Sequence, residues 1–348
     1  NLERLGNYLL ENNKQWRDLD EEEQENLCRT VADEILQENQ LGEETSDAYQ
    51  KAIEQRVQRT LHVTVDRLVE WSKRSDFDTK YLEQDFGRQG GWDPIRVPLG
   101  EDRYLRLIGQ IDRIDEYTRD DQTYGMVIDY KSGGAHVTAQ DVYYGLKLQL
   151  MTYLLALESA YGKTHGGSMS PAAVVYSYVK NPKIPAGAPI SYEEAVSLAN
   201  ESDAWQNSGY FSDDIELLTH IDNKFLSYGS KRGPYVPIAT KKDQTISSRD
   251  LRKVKSTGEF DIMCRYTNHV MAETGRHIGD GQFPIKPYQL NGLRPCTFCD
   301  YRTVCRFDSS RNRYNYLSRL SEDDALERMK EVLNDGNNSS EGGENHGC

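Results

Sequence analysis

Tyr49, Ile53, Val57, Leu61, Val65 and Leu68 recur at three- and four-residue steps between charged positions, a spacing that predicts one long amphipathic helix with a single buried stripe. Residues 1–80 as a whole read as helical. The pattern breaks over residues 90–98, where Gly and Pro accumulate and a strand region begins. Residues 104–108 then alternate, 111–117 continue as strand and 126–130 form another, with the polar residues 118–125 as the turn of an antiparallel hairpin. A helix over 139–161 follows, with Thr138 in position to cap it, and then a buried strand over 172–179 rich in β-branched and aromatic residues. Residues 190–229 read as helical and polar, and 260–278 as a further amphipathic helix. The order strand, strand, helix, strand predicts an α/β fold with a central mixed sheet flanked by helices.

Length adds that the 348 residues can bury a sizeable core as one large domain or two small ones. The expected division is a helical part over 1–80, a core over 81–308 and a terminal segment over 309–348. After about residue 320 Glu, Asp, Asn, Ser and Gly dominate, so that segment is expected to be largely disordered. No apolar run approaches the roughly 18 residues of a membrane span. No signal-peptide pattern opens the chain, and its first residue is Asn rather than Met, so it reads as a piece of a longer cytoplasmic polypeptide with no membrane partner.

The net charge of −14 argues against a protein that coats nucleic acid through its overall field. A local basic lining is still available: residues 231–255 carry Lys231, Arg232, Lys241, Lys242, Arg249, Arg252, Lys253 and Lys255 against Asp243 and Asp250. That stretch reads equally as a phosphate-contacting loop or a solvated charged one. Three of the six cysteines, Cys296, Cys299 and Cys305, crowd into ten residues, a spacing suited to zinc or an iron–sulfur cluster rather than to disulfides. Cys28 and Cys264 sit in helical stretches and read as small buried residues, and Cys348 is the remaining thiol. His62 on the long helix reads as a surface residue rather than a ligand. The 4 tryptophans and 22 tyrosines offer rings that could stack on single-stranded bases, though most read as core.

The chemistry concentrates between residues 109 and 153. Gly-Gln-Ile-Asp-Arg-Ile-Asp ends at Asp115, Val-Ile-Asp-Tyr-Lys-Ser follows, and then Gln149-x-x-x-Tyr153. Residues two apart on a strand share a face, so Asp129 and Lys131 project together, and Asp112 on the neighbouring strand can face the same pocket. Two carboxylates on adjacent strands, with the Tyr130 carbonyl as a further oxygen, suit Mg²⁺. Lys131 would orient a water or stabilise the charged phosphorus centre, and Gln149 and Tyr153, on one helix face, could reach it. Each residue alone is more often a solvated strand end or a helix surface position; the ordered set is what carries the reading of a metal-dependent phosphodiesterase.

This arrangement resembles the RecB-type branch of the PD-(D/E)XK nuclease superfamily, and within it the C-terminal nuclease domains of AddB-type (RexB) subunits of bacterial helicase-nucleases. Asp-Val-Tyr-Tyr-Gly-Leu-Lys-Leu-Gln-Leu-Met-Thr-Tyr-Leu and Pro-Cys-Thr-Phe-Cys-Asp-Tyr-Arg-Thr-Val-Cys-Arg-Phe-Asp carry that narrower likeness, which covers about residues 16–308. The resemblance implies metal binding by Asp112 and Asp129, catalysis by Lys131 and an accessory role for Gln149 and Tyr153. It also implies a [4Fe-4S] cluster on Cys296, Cys299 and Cys305, with a fourth cysteine upstream of Asn1, as is a further His ligand of the metal site. It implies a Mg²⁺-dependent DNA exonuclease that processes double-strand breaks for recombinational repair. Such an enzyme degrades the 5′-ended single strand of an unwound duplex, pauses at a hotspot sequence and partners an AddA-type helicase subunit. Two other readings stay open: a non-catalytic DNA-end or partner-binding module built on the cysteine cluster, and a Cas4-like nuclease. No Gly-x-x-x-x-Gly-Lys-[Ser/Thr] loop is present, so no ATPase motor is expected in this chain.

Overall fold

The computed structural model describes residues 2–38, 47–179, 189–191, 194 and 205–341. The chain forms two compact units: Asn1–Ile95, Ile108–Val137 and Gln149–Phe260 make the first, and Arg96–Leu107, Thr138–Leu148 and Asp261–Cys348 the second. In the first unit, helices α1 (Leu2–Glu11), α2 (Glu21–Glu38) and α3 (Asp47–Arg74) close on a core that includes Leu5, Leu9, Trp16 and Val31. The stripe on α3 behaves as its spacing predicts: Leu61, Val65 and Leu68 are buried in that core, while Tyr49 at the helix start stays exposed.

Two short strands, β2 (Ile95–Gly100) and β3 (Arg103–Leu107), pair with each other apart from the main sheet. That sheet, in the first unit, has six strands in the order β1 (Asp78–Phe86), β4 (Gly109–Arg119), β5 (Gln122–Lys131), β6 (Met169–Tyr178), β7 (Ser208–Ser212) and β8 (Val254–Lys255). It is mixed: β1, β4 and β5 run antiparallel in turn, β5 and β6 are parallel, and β6 to β7 is antiparallel again. The parallel step needs a crossover, which the helix of residues 149–165 supplies by packing on β5 and β6. On the opposite face Met126, Ile128, Val175 and Phe211 pack with Trp71 of α3.

Several elements differ from the sequence reading. The strand region begins at Asp78, before the Gly- and Pro-rich stretch, because the alternation of β1 is masked by half-buried polar residues. The hairpin turn is only Asp120–Asp121, both at positive φ (50° and 63°), the geometry of a two-residue turn that matches strand twist. The helix expected over 139–161 is two helices, α4 (Ala139–Tyr143) and α5 (Gln149–His165). Gly145, at φ 68°, takes the left-handed conformation that breaks the run, while Thr138 caps α4 by accepting from the Asp141 amide. Within 190–229 the described residues hold β7, the short helix α6 (Ile215–Ile221) and a single 3₁₀ turn rather than continuous helix; residues 192–193 and 195–204 lie outside the described set.

The second unit contains most of α7 (Thr257–Gly279), the helix expected over 260–278. Tyr266 of α7 donates to the Tyr143 carbonyl at 3.0 Å and stacks on its ring. Strand β9 (Tyr288–Gln289) pairs in parallel with β10 (Asn315–Tyr316), and the four-residue helix α8 (Arg302–Cys305) lies between them in sequence. Helix α9 (Glu322–Glu341) occupies part of the tail expected to be disordered. Ser321 caps it by accepting from the Asp324 amide at 3.1 Å, and Ala325, Leu326 and Met329 are buried. Three apolar residues at helical spacing outweigh the polar composition; residues 342–348 lie outside the described set. No helix among the described residues is long and apolar enough to cross a membrane.

Candidate active site

Asp112, Asp129, Lys131, Gln149 and Tyr153 all lie in the first unit, and the fold gathers them. Arg113 pairs with Ile128 across β4 and β5, so one further step along that register sets Asp112 opposite Asp129. There the ladder gives way: the Tyr130 amide donates instead to Asp112 Oδ2 at 2.7 Å, which fixes that carboxylate at the strand end. Lys131 Nζ lies 2.6 Å from Asp129 Oδ2 and donates to Gln149 Oε1 at 3.2 Å. Gln149 opens α5, and its Nε2 donates to the Tyr153 hydroxyl one turn on, at 2.9 Å. Phe86 supports the Tyr153 ring edge-on at 6.2 Å. A continuous polar line therefore runs from a buried carboxylate on the sheet to a phenol on the covering helix.

Alternation along the strands separates this line from a second, structural set. Tyr130 points to the α3 face, where its hydroxyl meets Arg113 Nη1 at 3.3 Å. Arg113 is itself buried, clamps Asp115 through Nε at 2.7 Å and Nη2 at 2.6 Å, and stacks on Trp71. The residues next to the two candidate ligands thus build the core of the opposite face.

Burial pushes the Asp112 carboxyl up, against the Tyr130 amide and the Lys131 charge. Burial also pushes Asp129 up; the Lys131 ammonium opposes that rise and the charge of Asp112 adds to it. The buried Asp129 Oδ2 has the Lys131 ammonium as its ion-pair partner at 2.6 Å. Two desolvated carboxylates on adjacent strands fit a hard divalent cation that takes one or two protein carboxylates and keeps its waters.

The sequence reading missed a third carboxylate. Glu83 of β1 falls between the paired residues Leu82–Arg113 and Gln84–Ile111, opposite Asp112, so β1, β4 and β5 carry an acidic row. Glu83 sits at φ 46°, a conformation rare for a side chain that is not Gly, Asn or Asp. Burial first and the Asp112 charge second push its carboxyl up to about 7 from an ordinary 4.5. Its charge also contributes to the raised Tyr153 hydroxyl, behind burial and the charges of Asp129 and Asp112. Ionising Glu83 is harder in the folded chain than in the unfolded one, so its contribution to stability is present at pH below about 4.5 and is lost as pH rises through about 7. In metal-free buffer Glu83→Gln is therefore expected to raise the unfolding free energy by about 1 kcal/mol at pH 8, after allowance for solvent screening, and to leave it unchanged at pH 4. Urea titrations at the two pH values check this, and an equal effect at both would refute it.

The model of the PD-(D/E)XK nuclease superfamily matches residues 2–306, which takes in every element described for the first unit. The chain belongs to this nuclease superfamily. The nuclease is also similar to the B-type subunit of the ATP-dependent helicase/deoxyribonuclease of Clostridioides difficile strain 630, 29% identical over 336 residues, which cover 96% of this chain and 29% of that protein. The equivalent protein of Bacillus cereus strain AH187 is 32% identical over 344 residues, 95% of this chain and 28% of its own length. That of Listeria monocytogenes strain HCC23 is 32% identical over 334 residues, 94% and 28% respectively. The nuclease chain thus spans less than a third of the curated relatives it matches.

The remaining candidates of the sequence divide. In the basic stretch, Asp250 is fully buried and gathers Arg232 at 2.6 Å and the Ala239 amide at 3.0 Å, with Lys253 at 3.8 Å. Lys255 is buried with its ammonium over the Tyr210 ring. Those cations hold the fold of the nuclease; Lys231, Lys241, Lys242 and Arg252 remain exposed. Trp16, Trp71 and Trp205 are core residues. Cys28 is buried, its thiol pushed up to about 11 by burial, and Cys264 is buried as well. His62 is partly exposed beside Asp66. In the second unit Cys296 and Cys305 are half-buried and Cys299 is exposed, and no group of three His, Cys, Asp or Glu side chains among the described residues is placed to hold a metal ion. An iron–sulfur cluster on these cysteines would need the three thiols drawn together with a fourth ligand; Cys348 lies outside the described residues.

Proposed function

We propose that the chain is the Mg²⁺-dependent exonuclease domain of an AddB-type subunit, hydrolysing phosphodiester bonds of the 5′-ended DNA strand as an AddA-type partner unwinds a broken duplex in the cytoplasm. The observation that carries this reading is the Asp129–Lys131–Gln149–Tyr153 line beside Asp112, in a chain of the nuclease superfamily. Asp112 and Asp129, with the Tyr130 carbonyl, would hold the cation. Bound Mg²⁺ would neutralise phosphate charge and make water a better nucleophile. The Lys131 ammonium then stands where charge builds on the phosphoryl oxygens, and it is already aimed by Asp129 and Gln149, so little reorganisation accompanies the reaction.

Gln149 sets that aim. Its amide nitrogen is committed to Tyr153, which leaves its carbonyl oxygen facing Lys131 and fixes the flip of the side chain. Gln149→Ala is expected to lower kcat by about 10- to 100-fold with little change in KM, the scale seen when an orienting partner is removed. Steady-state hydrolysis of a labelled strand measures it. The function itself is tested with strands labelled at the 5′ or the 3′ end, in Mg²⁺ and in EDTA, using the full-length protein with its helicase partner. Mg²⁺-dependent shortening of the 5′-ended strand supports the proposal; an intact strand in Mg²⁺ overturns it.

A further inference from the structure

Beside the candidate site, β6 follows β5 residue for residue. The two strands are parallel, with Tyr176 paired to Asp129 and Tyr178 to Lys131. Paired residues of neighbouring strands share a face, so both tyrosines lie on the side of the sheet that carries the carboxylate and the lysine. Tyr178 commits its hydroxyl to the loop after β5, accepting from the Ala135 amide at 3.1 Å and donating to the Ala135 carbonyl. The Val179 amide donates to the Lys131 carbonyl at 3.1 Å. These bonds fix the main chain around Lys131, and none of them reaches its ammonium.

Tyr176 does reach it. This side chain is buried, and Lys131 Nζ lies over its ring, 5.4 Å from the centroid. An ammonium carries three N–H donors and no acceptor. On Lys131, Asp129 Oδ2 at 2.6 Å and the Gln149 carbonyl oxygen at 3.2 Å account for two directions. A ring face attracts a cation through its quadrupole and brings no net negative charge, so it holds the ammonium without neutralising it. A second carboxylate in that place would cancel the charge that a phosphoryl group has to meet. The lysine stem is flexible, and a buried ring beneath it favours the rotamer that keeps Nζ over the ring face.

We infer that Tyr176 is a positioning residue for the nuclease reaction, its ring face holding the Lys131 ammonium in place alongside the oxygens of Asp129 and Gln149. It acts through Lys131 rather than on the strand, so its removal lowers the rate at saturating strand and leaves KM in place. A core aromatic that only fills space would depend on the volume of its ring, whereas this contact depends on how charge is distributed over the ring. The consequence for hydrolysis rests on the nuclease reading above, while the contact itself rests on the geometry of β5 and β6.

Hydrolysis of a labelled strand in Mg²⁺ by the full-length protein with its helicase partner tests the role. Tyr176→Phe keeps the ring face and is expected to stay within about two-fold of the parent kcat, whereas Tyr176→Leu is expected to lower kcat about ten-fold with KM unchanged. Because the position is buried, phenylalanines bearing increasing numbers of ring fluorines at residue 176 supply a second series. They hold the shape while draining negative charge from the ring face, and kcat is expected to fall stepwise along the series. Equal rates along it overturn the inference, as do equal losses in Tyr176→Phe and Tyr176→Leu. The contact is read separately, in EDTA, from the ε-methylene NMR signal of Lys131 in ¹³C-lysine-labelled chain, assigned by its absence from Lys131→Arg. That signal is expected to be shifted upfield by the ring in the parent and in Tyr176→Phe, and to return among the other lysines in Tyr176→Leu. An unshifted signal in the parent overturns the contact. Absence of hydrolysis by the parent overturns the nuclease reading instead, and the NMR comparison then decides the contact alone.

Discussion

Lys131→Ala is expected to slow hydrolysis of single-stranded DNA on the order of a thousand-fold while leaving strand binding in place. The ammonium is held 2.6 Å from Asp129 and 3.2 Å from the Gln149 carbonyl before any substrate arrives. Its loss removes a fixed positive charge from the point where phosphoryl charge develops, and no other cation of the described site stands ready to replace it. Lys131→Arg should not rescue, because a planar fork of donors cannot take the place of a compact point charge between those two oxygens. Asp129→Asn should match the loss and also weaken the Mg²⁺ dependence, since the amide retains shape but not charge. Single-turnover cleavage of an end-labelled strand, with affinity measured in parallel, separates these effects. Retention of more than a tenth of the parent rate in Lys131→Ala would mean that this lysine is only a strand-end partner of Asp129.

Asp115→Ala is expected to destabilise the fold by about 3–5 kcal/mol, the largest effect on stability among the changes considered. The pair it breaks is inaccessible on both sides, with side-chain exposures of 3% for Arg113 and 2% for Asp115. Removing the carboxylate leaves a guanidinium facing only the Tyr130 hydroxyl and the Trp71 ring. The double change Arg113→Met with Asp115→Leu should recover most of the loss, because the cost lies in the stranded charge rather than in the missing attraction. Urea unfolding of the three variants decides the matter; equal losses in single and double variants would show that packing, not charge, sets the energy.

The candidate site was legible because five of its side chains fall in one stretch whose alternation and helical spacing put Asp129 with Lys131 and Gln149 with Tyr153. Glu83 was not, since it lies 29 residues before Asp112 in the chain and reaches the row through a positive φ that period-two reasoning does not allow. Arg113 and Asp115 read as ordinary charged strand positions; their burial follows only from the packing of α3 against that face of the sheet. The stripe of α3 and the hairpin were visible as periodicity. The break at Gly145 was hidden because one glycine inside an apolar run is compatible with a continuous helix. In the tail, Ser321 three residues before Asp324, followed by Ala325, Leu326 and Met329, was a cap and a stripe masked by acidic composition.

The hairpin of β4 and β5 is read from both sides at once. Even-numbered positions of β4 serve one face and odd-numbered positions the other, and only two aspartates at the turn set how the strands meet. Adding or deleting a single residue at Asp120–Asp121 would shift one strand by a step, send its carboxylate into the apolar side and bring a core arginine or tyrosine out toward the candidate site. Length variation in this loop is therefore closed to the protein, and sequence variation is confined to residues that tolerate positive φ at both positions, such as Asp, Asn and Gly.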